Sequence, residues 1–352
     1  MSAVDEVTAP TSLPLVQPQL PRGAQAVTAF IAGCVTALFY VMSLPLAGAL
    51  ILGGLAYLVV LPVWALAIEG RRGATDRMMT GLIWSAFVVA MVPLTSLIWT
   101  VVSKGLPAIN TTFLTFSFFK TEITQPVGIY HAIIGTLVIT LGAAIISVPV
   151  GVMAAIYLVE YGKKNRLAKV ITFLIDVMTG IPSIVAGLFA FALFTLFAGA
   201  GYQSGVGGSV ALSLLMVPIV VRATEEMLRL VPDDLREAAY ALGTPKWKTI
   251  VRIVLPTSIG GIITGITLSI ARVIGETAPL LLIAGITTRT NADPFSGAMT
   301  SLPVLIFNVN LRADDESATI AWGAALVLIV IVMALNLIAR VIGKIYAPKT
   351  GN

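Results

Sequence analysis

The sequence predicts an all-α, polytopic membrane protein with about eight transmembrane helices, and three observations lead there. The 352 residues are 57% hydrophobic and 11% charged, with a mean hydropathy of +0.97, well outside the balance of soluble domains. The apolar residues fall in long charge-free runs, matching the roughly 20 helical residues needed to cross about 30 Å of hydrocarbon. Those runs are continuous and lack the period-two alternation of a barrel strand, which excludes a β-barrel. The 31 glycines and 19 prolines are dispersed among the runs, which excludes a disordered or collagen-like chain. The one cysteine, Cys34, cannot close an internal disulfide.

From the N-terminus, residues 1–22 read as a polar, proline-rich tail. Residues 23–68 contain no Asp, Glu, Lys or Arg and make two crossings hinged near Ser43-Leu44-Pro45, an N-terminal transmembrane hairpin. The first run follows a mostly polar stretch whose one basic residue is Arg22, and it leads directly into the second, so it reads as a retained span and not a cleaved signal. Residues 78–103 supply a peripheral third span. An outer loop follows, to residue 128, rich in Phe113, Phe116, Phe118 and Phe119. Residues 131–159 form the fourth span. Residues 170–221 carry only Asp176 and are interrupted by Gly199-Ala200-Gly201-Tyr202-Gln203-Ser204-Gly205, giving spans five and six. Residues 257–288, with Arg272 and Glu276 inside, form span seven. Residues 317–339 form span eight, ahead of a tail at 341–352.

Charge sets the orientation. Of the 22 lysines and arginines, Lys104, Lys120, Arg289 and Arg312 lie on one side of these spans, Arg272 lies within one, and the other 17 lie on the opposite side. The positive-inside bias places both termini in the cytoplasm. The net charge of +5 then reflects membrane anchoring, since no dense basic face is present for nucleic acid.

The longest cytoplasmic loop, residues 222–256, encodes two short helices. Asp234 and Glu237 have the spacing of a capping box. Leu235, Ala238, Ala239 and Leu242 give the first helix a small apolar face, and Gly243 permits the positive φ of a helix stop. Thr244 then reads as a cap with Pro245 at the first helical position. Trp247, Ile250, Val251 and Val254 follow on one side, and Pro256 kinks or breaks the run at the next span. By physics alone this is either an amphipathic connector on the bilayer surface or a docking knob for a cytoplasmic partner.

Arg272 and Glu276, four residues apart, are expected on one face of span seven. Isolated charges are costly in lipid, about 2.5 to 3.5 kcal/mol for Arg on the insertion scale, so both should face the protein interior. Thr264, Thr267 and Ser269 add polar atoms along the same span, as in a lined path. One reading is a structural ion pair. The other is an arginine that handles an anion through its planar fork, with the glutamate competing for it so that the anion can leave. Asp176 reads as structural or part of a gate near Pro182, where Gly180, Pro182 and Gly187 permit a bent helix. His131 reads as a satisfied polar residue at a helix end, and no metal site is expected.

Glu237-Ala238-Ala239, Gly243 four residues on, and Ile253, Leu255 and Pro256 resemble the EAA motif of ATP-binding-cassette importer permeases. The segment from Ala271 through Arg272 and Glu276 to Thr277-Ala278-Pro279-Leu280-Leu281 is similar to the signature of phosphate-specific importer permeases, in the PstA type more than the PstC type. The stretch from Phe173 to Gly187, containing Asp176 and Pro182, is similar to the same type. The resemblance covers about residues 130–337 and implies a type I ABC importer permease core over residues 129–340. It assigns Glu237, Ala238, Ala239 and Gly243 to a coupling helix seated on an ATPase, and Arg272 and Glu276 to a phosphate path. The implied partners are a PstC-like permease subunit, a PstB-like ATPase dimer and a PstS-like phosphate-binding protein. No Walker glycine loop occurs, so the chain is expected to be a transport subunit and not an enzyme, binding no cofactor itself, with ATP and Mg used by the partner ATPase. An ion-coupled secondary anion transporter and a noncatalytic membrane scaffold remain as alternatives at this point.

Overall fold

The computed structural model describes residues 19–21, 23–118, 127–162, 165–312 and 314–346. Most of the two expected tails, together with Phe119, Lys120, Lys163 and Lys164, lies outside the described residues. Among the described residues every regular element is a helix. The chain divides into two compact units, residues 1–98 and 99–352.

The first unit holds the expected hairpin, α1 (Ala24–Val41) and α2 (Leu46–Ile68), and most of the long α3 (Gly70–Gly105). The hairpin turns at Ser43, whose φ of +70° is unusual for a residue with a side chain. Gly53 brings α2 so close to α1 that a Cβ there would lie 1.9 Å from Thr36 Oγ1. Such close approach is what small residues supply to helix pairs in lipid. Glu69, between α2 and α3, accepts from the Leu20 N–H at 2.8 Å and from Arg77 Nη2 at 3.2 Å.

The second unit is built on α5 (Tyr130–Ile156) packed against α8 (Gly205–Arg229), after the short α4 (Thr111–Thr115). Ser209 Oγ donates to the Ile139 carbonyl at 3.0 Å, and Ser147 Oγ to the Ser213 carbonyl at 3.4 Å. Gly151 admits Val220, which a Cβ would meet at 2.7 Å. Ile139, Leu212, Met216 and Val220 form the adjoining core with Val273 and Leu280, all buried.

The fifth expected span is a bent pair. The helices α6 (Arg166–Gly180) and α7 (Ser183–Ala198) meet at 110°, so seven single helices have the length and apolarity to cross, eight counting this pair. Proline explains the break: Pro182 lacks an N–H and holds Ile181 extended, at φ −72° and ψ 128°. Gly187 does not bend anything. It lets α7 touch Pro279, which a Cβ would meet at 2.5 Å.

Span seven differs more. It begins earlier, as α10 (Lys246–Thr249), passes through a π-helical turn at Ile250–Val254, and continues as α11 (Leu255–Val273). The wide turn accommodates Pro256 in the first turn of α11, so the proline does not break the run. The helix ends at Val273 and restarts as α12 (Ala278–Ile283). Pro279 cannot donate to the residue 275 carbonyl and clashes with it, which forces the gap. Beyond it come α13 (Leu302–Asn310) and α14 (Asp315–Tyr346), the expected eighth span, with α9 (Asp233–Ala241) lying between α8 and α10.

Candidate transport and coupling sites

Arg272 stands on the last turn of α11, where the helix macrodipole favours a cation. It lines a cavity of about 230 Å³ with Glu276. Met178, Thr179, Ile181 and Ser183 enter from the bend between α6 and α7, and Leu215, Pro218 and Ile219 enter from α8. The expected stacking of the two charges on one helical face is corrected, because Glu276 lies past the helix end and its N–H bonds back to the Val273 carbonyl at 3.1 Å. No ion pair joins them, and among the described residues neither side chain has a hydrogen-bond partner. Arg272 is exposed and Glu276 half-buried. An unpaired guanidinium in a small cavity is free to present its two-pronged donor face to an oxyanion.

Pro182 caps α7 at the edge of this cavity. Asp176 lies elsewhere. Its carboxylate accepts from Arg222 Nη2, whose Nη1 also donates to Glu225 Oε2 at 2.9 Å. Arg229 Nη2 reaches Glu225 Oε1 at 2.5 Å. Asp176, Glu225 and Arg229 line a separate cavity of about 650 Å³ with Lys169 and Asn165. The Asp176–Arg222 pair fastens α6 to α8, and the two Glu225 pairs lie within α8.

In the coupling segment, Gly243 has φ +72°, with Gly243 N–H bonded to the Tyr240 carbonyl at 2.9 Å and Thr244 N–H to the Ala239 carbonyl at 3.1 Å. That pair of bonds is a Schellman stop, as the glycine predicts. The capping box is absent. Pro232 occupies the N-cap of α9, with no side-chain cap, and the first-turn carboxylate of Asp233 accepts from Arg236 Nη1 at 3.1 Å. Asp234 and Glu237 project into solvent. Pro245 is the N-cap of α10, so this helix starts one residue later than expected, and Thr244 makes no cap bond. The apolar residues divide: Ala239, Ile250 and Val254 are buried, whereas Ala238 is exposed, as are Leu242 at 86% and Trp247 at 63%. Leu242 and Trp247 thus flank the Gly243 turn as outward-facing apolar side chains.

Sequence reasoning missed how this segment is held. Arg236, counted only as one of the basic residues, is buried and uses all its N–H donors. Its Nε and Nη2 donate to Glu160 Oε1 at 3.1 and 3.0 Å. Nη1 also reaches the Val231 carbonyl at 2.6 Å, and Nη2 the Leu228 carbonyl at 3.0 Å. Glu160 is buried in a π-helical turn at the end of α5, Tyr157–Tyr161. The Lys246 ammonium donates to the Glu160 carbonyl and lies 4.7 Å from the Tyr161 ring centroid. Both helices of the segment are therefore tied to one turn of α5. The available signal was Glu160 itself, a carboxylate ending a long apolar run.

Residues 147–352 match the model of the binding-protein-dependent transport system inner membrane component family. The chain belongs to that family. This permease is 47% identical over 285 residues to the phosphate transport system permease protein PstA 1 of Mycobacterium tuberculosis, covering 80% of this chain and 93% of that one. It is 42% identical over 270 residues to the phosphate transport system permease protein PstA of Yersinia pestis, covering 75% and 85%. In fold it is similar to a bacterial ABC transporter involved in the import of alginate (TM-score 0.53, 15% identity, 78% of this chain and 99% of that one). It is also similar to the MetNI methionine ABC transporter in an inward-facing conformation (TM-score 0.51, 18% identity, 62% and 94%). These likenesses place the permease in the ABC importer permease fold. His131, near the start of α5, accepts the Phe118 N–H at its Nδ1 at 3.4 Å, but its buried Nε2 has no partner among the described residues, so the expectation of a satisfied helix-end residue is met at one ring nitrogen and not at the other.

Proposed function

We infer that this chain is the permease subunit of an ATP-driven importer of inorganic phosphate, forming half of the translocation path. One observation carries the cargo: relatives named for phosphate transport match the permease over four-fifths of its length. An alignment that long necessarily spans Arg272 and Glu276. The unpaired guanidinium supports a substrate role for Arg272, with Glu276 as the competing carboxylate that prevents trapping. Glu237, Ala238, Ala239 and Gly243 would present the coupling helix to a PstB-like ATPase dimer. A PstC-like permease would supply the other half of the path, and a PstS-like protein would deliver phosphate. Under the charge asymmetry of the loops both termini face the cytoplasm. Residues 129–340 would be the transport core and residues 23–68 an added hairpin.

The chain binds phosphate in this reading and performs no ATP chemistry. ATP closing the ATPases would push on the α9–α10 segment, and the Arg236–Glu160 tie would pass that push into α5 and hence α8. The test is ATP-dependent phosphate uptake by the complete transporter in vesicles, comparing the native protein with Arg272→Ala at equal abundance. Loss of a two-pronged charged contact worth about 1.5 to 3 kcal/mol corresponds to roughly 10- to 100-fold weaker handling of phosphate. Unchanged uptake would remove Arg272 from the path.

A further inference from the structure

The cavity at Arg272 does not end the polar route through this permease. On α8 its lining residues Leu215, Pro218 and Ile219 are followed at helical spacing by Ala223, Glu226 and Met227, which line a second, larger cavity of about 580 Å³. On α11, Arg272 is followed toward the N-terminus by Leu268, Thr264 and Gly261, which line the same second cavity. Residues three and four apart share a helix face, so the two cavities lie one after the other along the same faces of α8 and α11. Glycines let α11 pack closely on α8 beside the second cavity. A Cβ on Gly265 would meet Ala223 Cβ at 2.5 Å, and one on Gly261 would meet Met227 Sδ at 2.1 Å. The far wall is α14, where a Cβ on Gly343 would lie 3.4 Å from Thr264 Oγ1.

That wall brings Arg340 and Lys344 into the second cavity. With Glu226 they are its charged side chains, and among the described residues none of the three has an ion pair or hydrogen bond. The combination repeats the first cavity: cations with free donors and one carboxylate able to compete for them. At 1.5 Å per residue, Thr264 stands about 12 Å along α11 from Arg272. That is about one and a half Debye lengths at physiological salt, so the two cavities would act as separate stations and not as one electrostatic well. The two threonine hydroxyls, Thr257 and Thr264, donate to the Ile253 and Gly260 carbonyls and keep acceptor capacity only, so the recognising donors here are Arg340 and Lys344.

Resting on the phosphate-importer reading, we propose that Arg340 and Lys344 form a second oxyanion station, at which phosphate leaving Arg272 pauses before release, with Glu226 keeping that station weak. The headgroup of an anionic phospholipid carries the same phosphoryl oxygens, so the test separates the two sources. The complete transporter is reconstituted in vesicles of phosphatidylcholine alone and in vesicles containing phosphatidylglycerol. Uptake and ATP hydrolysis are compared for the native permease, the Arg340→Gln/Lys344→Gln double variant and the charge-retaining Arg340→Lys/Lys344→Arg double variant. The expected result is an uptake rate lowered about tenfold in the neutral variant, the effect of roughly 1.4 kcal/mol. That loss should be present in both lipids, with uptake retained in the charge-retaining variant. Equal uptake by the native and neutral variants would overturn the station. A defect confined to phosphatidylglycerol vesicles would overturn it too, by assigning the cations to lipid. Absence of ATP-driven phosphate uptake by the native transporter would instead strike the underlying function.

Discussion

Two arginine–glutamate combinations occur in this permease, and their environments are opposite. Arg236 and Glu160 come from elements 76 residues apart and meet at 3.0 Å with both side chains buried. Arg272 and Glu276 are neighbours in sequence, yet they are unpaired and line an open cavity. Where every donor is satisfied internally, the pair is a mechanical joint and has nothing to offer a ligand. Where the donors are idle, desolvation and binding remain available to an incoming anion. The residue types do not distinguish the two cases; the closure of the hydrogen-bond network does.

The comparison breaks most directly at the joint. Arg236→Ala leaves the Glu160 carboxylate buried without its partner, a situation that costs about 3 to 5 kcal/mol. A large fall in the thermal midpoint of the purified transporter is therefore expected. Replacing both residues with apolar side chains of similar size, Glu160→Leu with Arg236→Met, should restore most of that stability. If the single variant melts like the native protein, the joint is not a joint.

The next effect is at the surface the joint supports. Leu242→Ala and Trp247→Ala remove outward apolar contacts that make no internal core, so they should leave the permease folded. Each should weaken ATPase association by about 1 to 2 kcal/mol if those side chains are anchors, read as a raised dissociation constant for the ATPase on immobilised permease. Equal affinity in all forms would restrict this surface to the membrane connector considered from sequence alone.

Most of the bundle was legible because hydropathy is a local property, and a run such as 317–339 cannot be anything but a span. The Gly243 stop was legible for the same reason, since only a backbone free of a side chain takes φ +72° cheaply. What escaped depended on distant residues. Arg236 looks in sequence like every other loop arginine, and only the fold brings Glu160 to it. The capping box failed because Pro232 sets the start of α9 and Arg236 draws the Asp233 carboxylate toward itself. Glu276 was placed on the helix with Arg272 because the apolar run continues past it. The signal that contradicts this is Pro279, three residues later, a helix breaker that sits inside the family signature.

An intermediate case is a carboxylate held chiefly by a backbone donor, with the Ser317 hydroxyl adding a second hydrogen bond. Asp314 Oδ1 accepts the Ser317 N–H at 2.7 Å at the start of α14, which lowers its pKa below the usual carboxylate range. A lowered folded-state value gives stability that is present above the unfolded pKa, about 3.9, and is lost as pH falls through the folded value. The native protein should therefore lose slightly more stability than Asp314→Asn on acidification below about pH 4, measured as the difference in thermal midpoint between pH 7 and the acid limit. Parallel curves for the two proteins would show that this cap carries no titrating contribution.

The smallest expected effect is the one that most sharpens the contrast. Arg272→Ala removes a side chain that has no ion pair and no hydrogen bond among the described residues, so its thermal stability should stay within about 0.5 kcal/mol of native, the range of substitutions that touch no structural feature. The same substitution is the one expected to abolish most uptake. If the proposed substrate role holds, Arg272 can be deleted without structural cost while Arg236 cannot, and that difference would separate binding from mechanics. If Arg272→Ala instead melts as early as Arg236→Ala, then Arg272 is structural. Its loss of uptake would then report a damaged bundle and not a missing phosphate ligand.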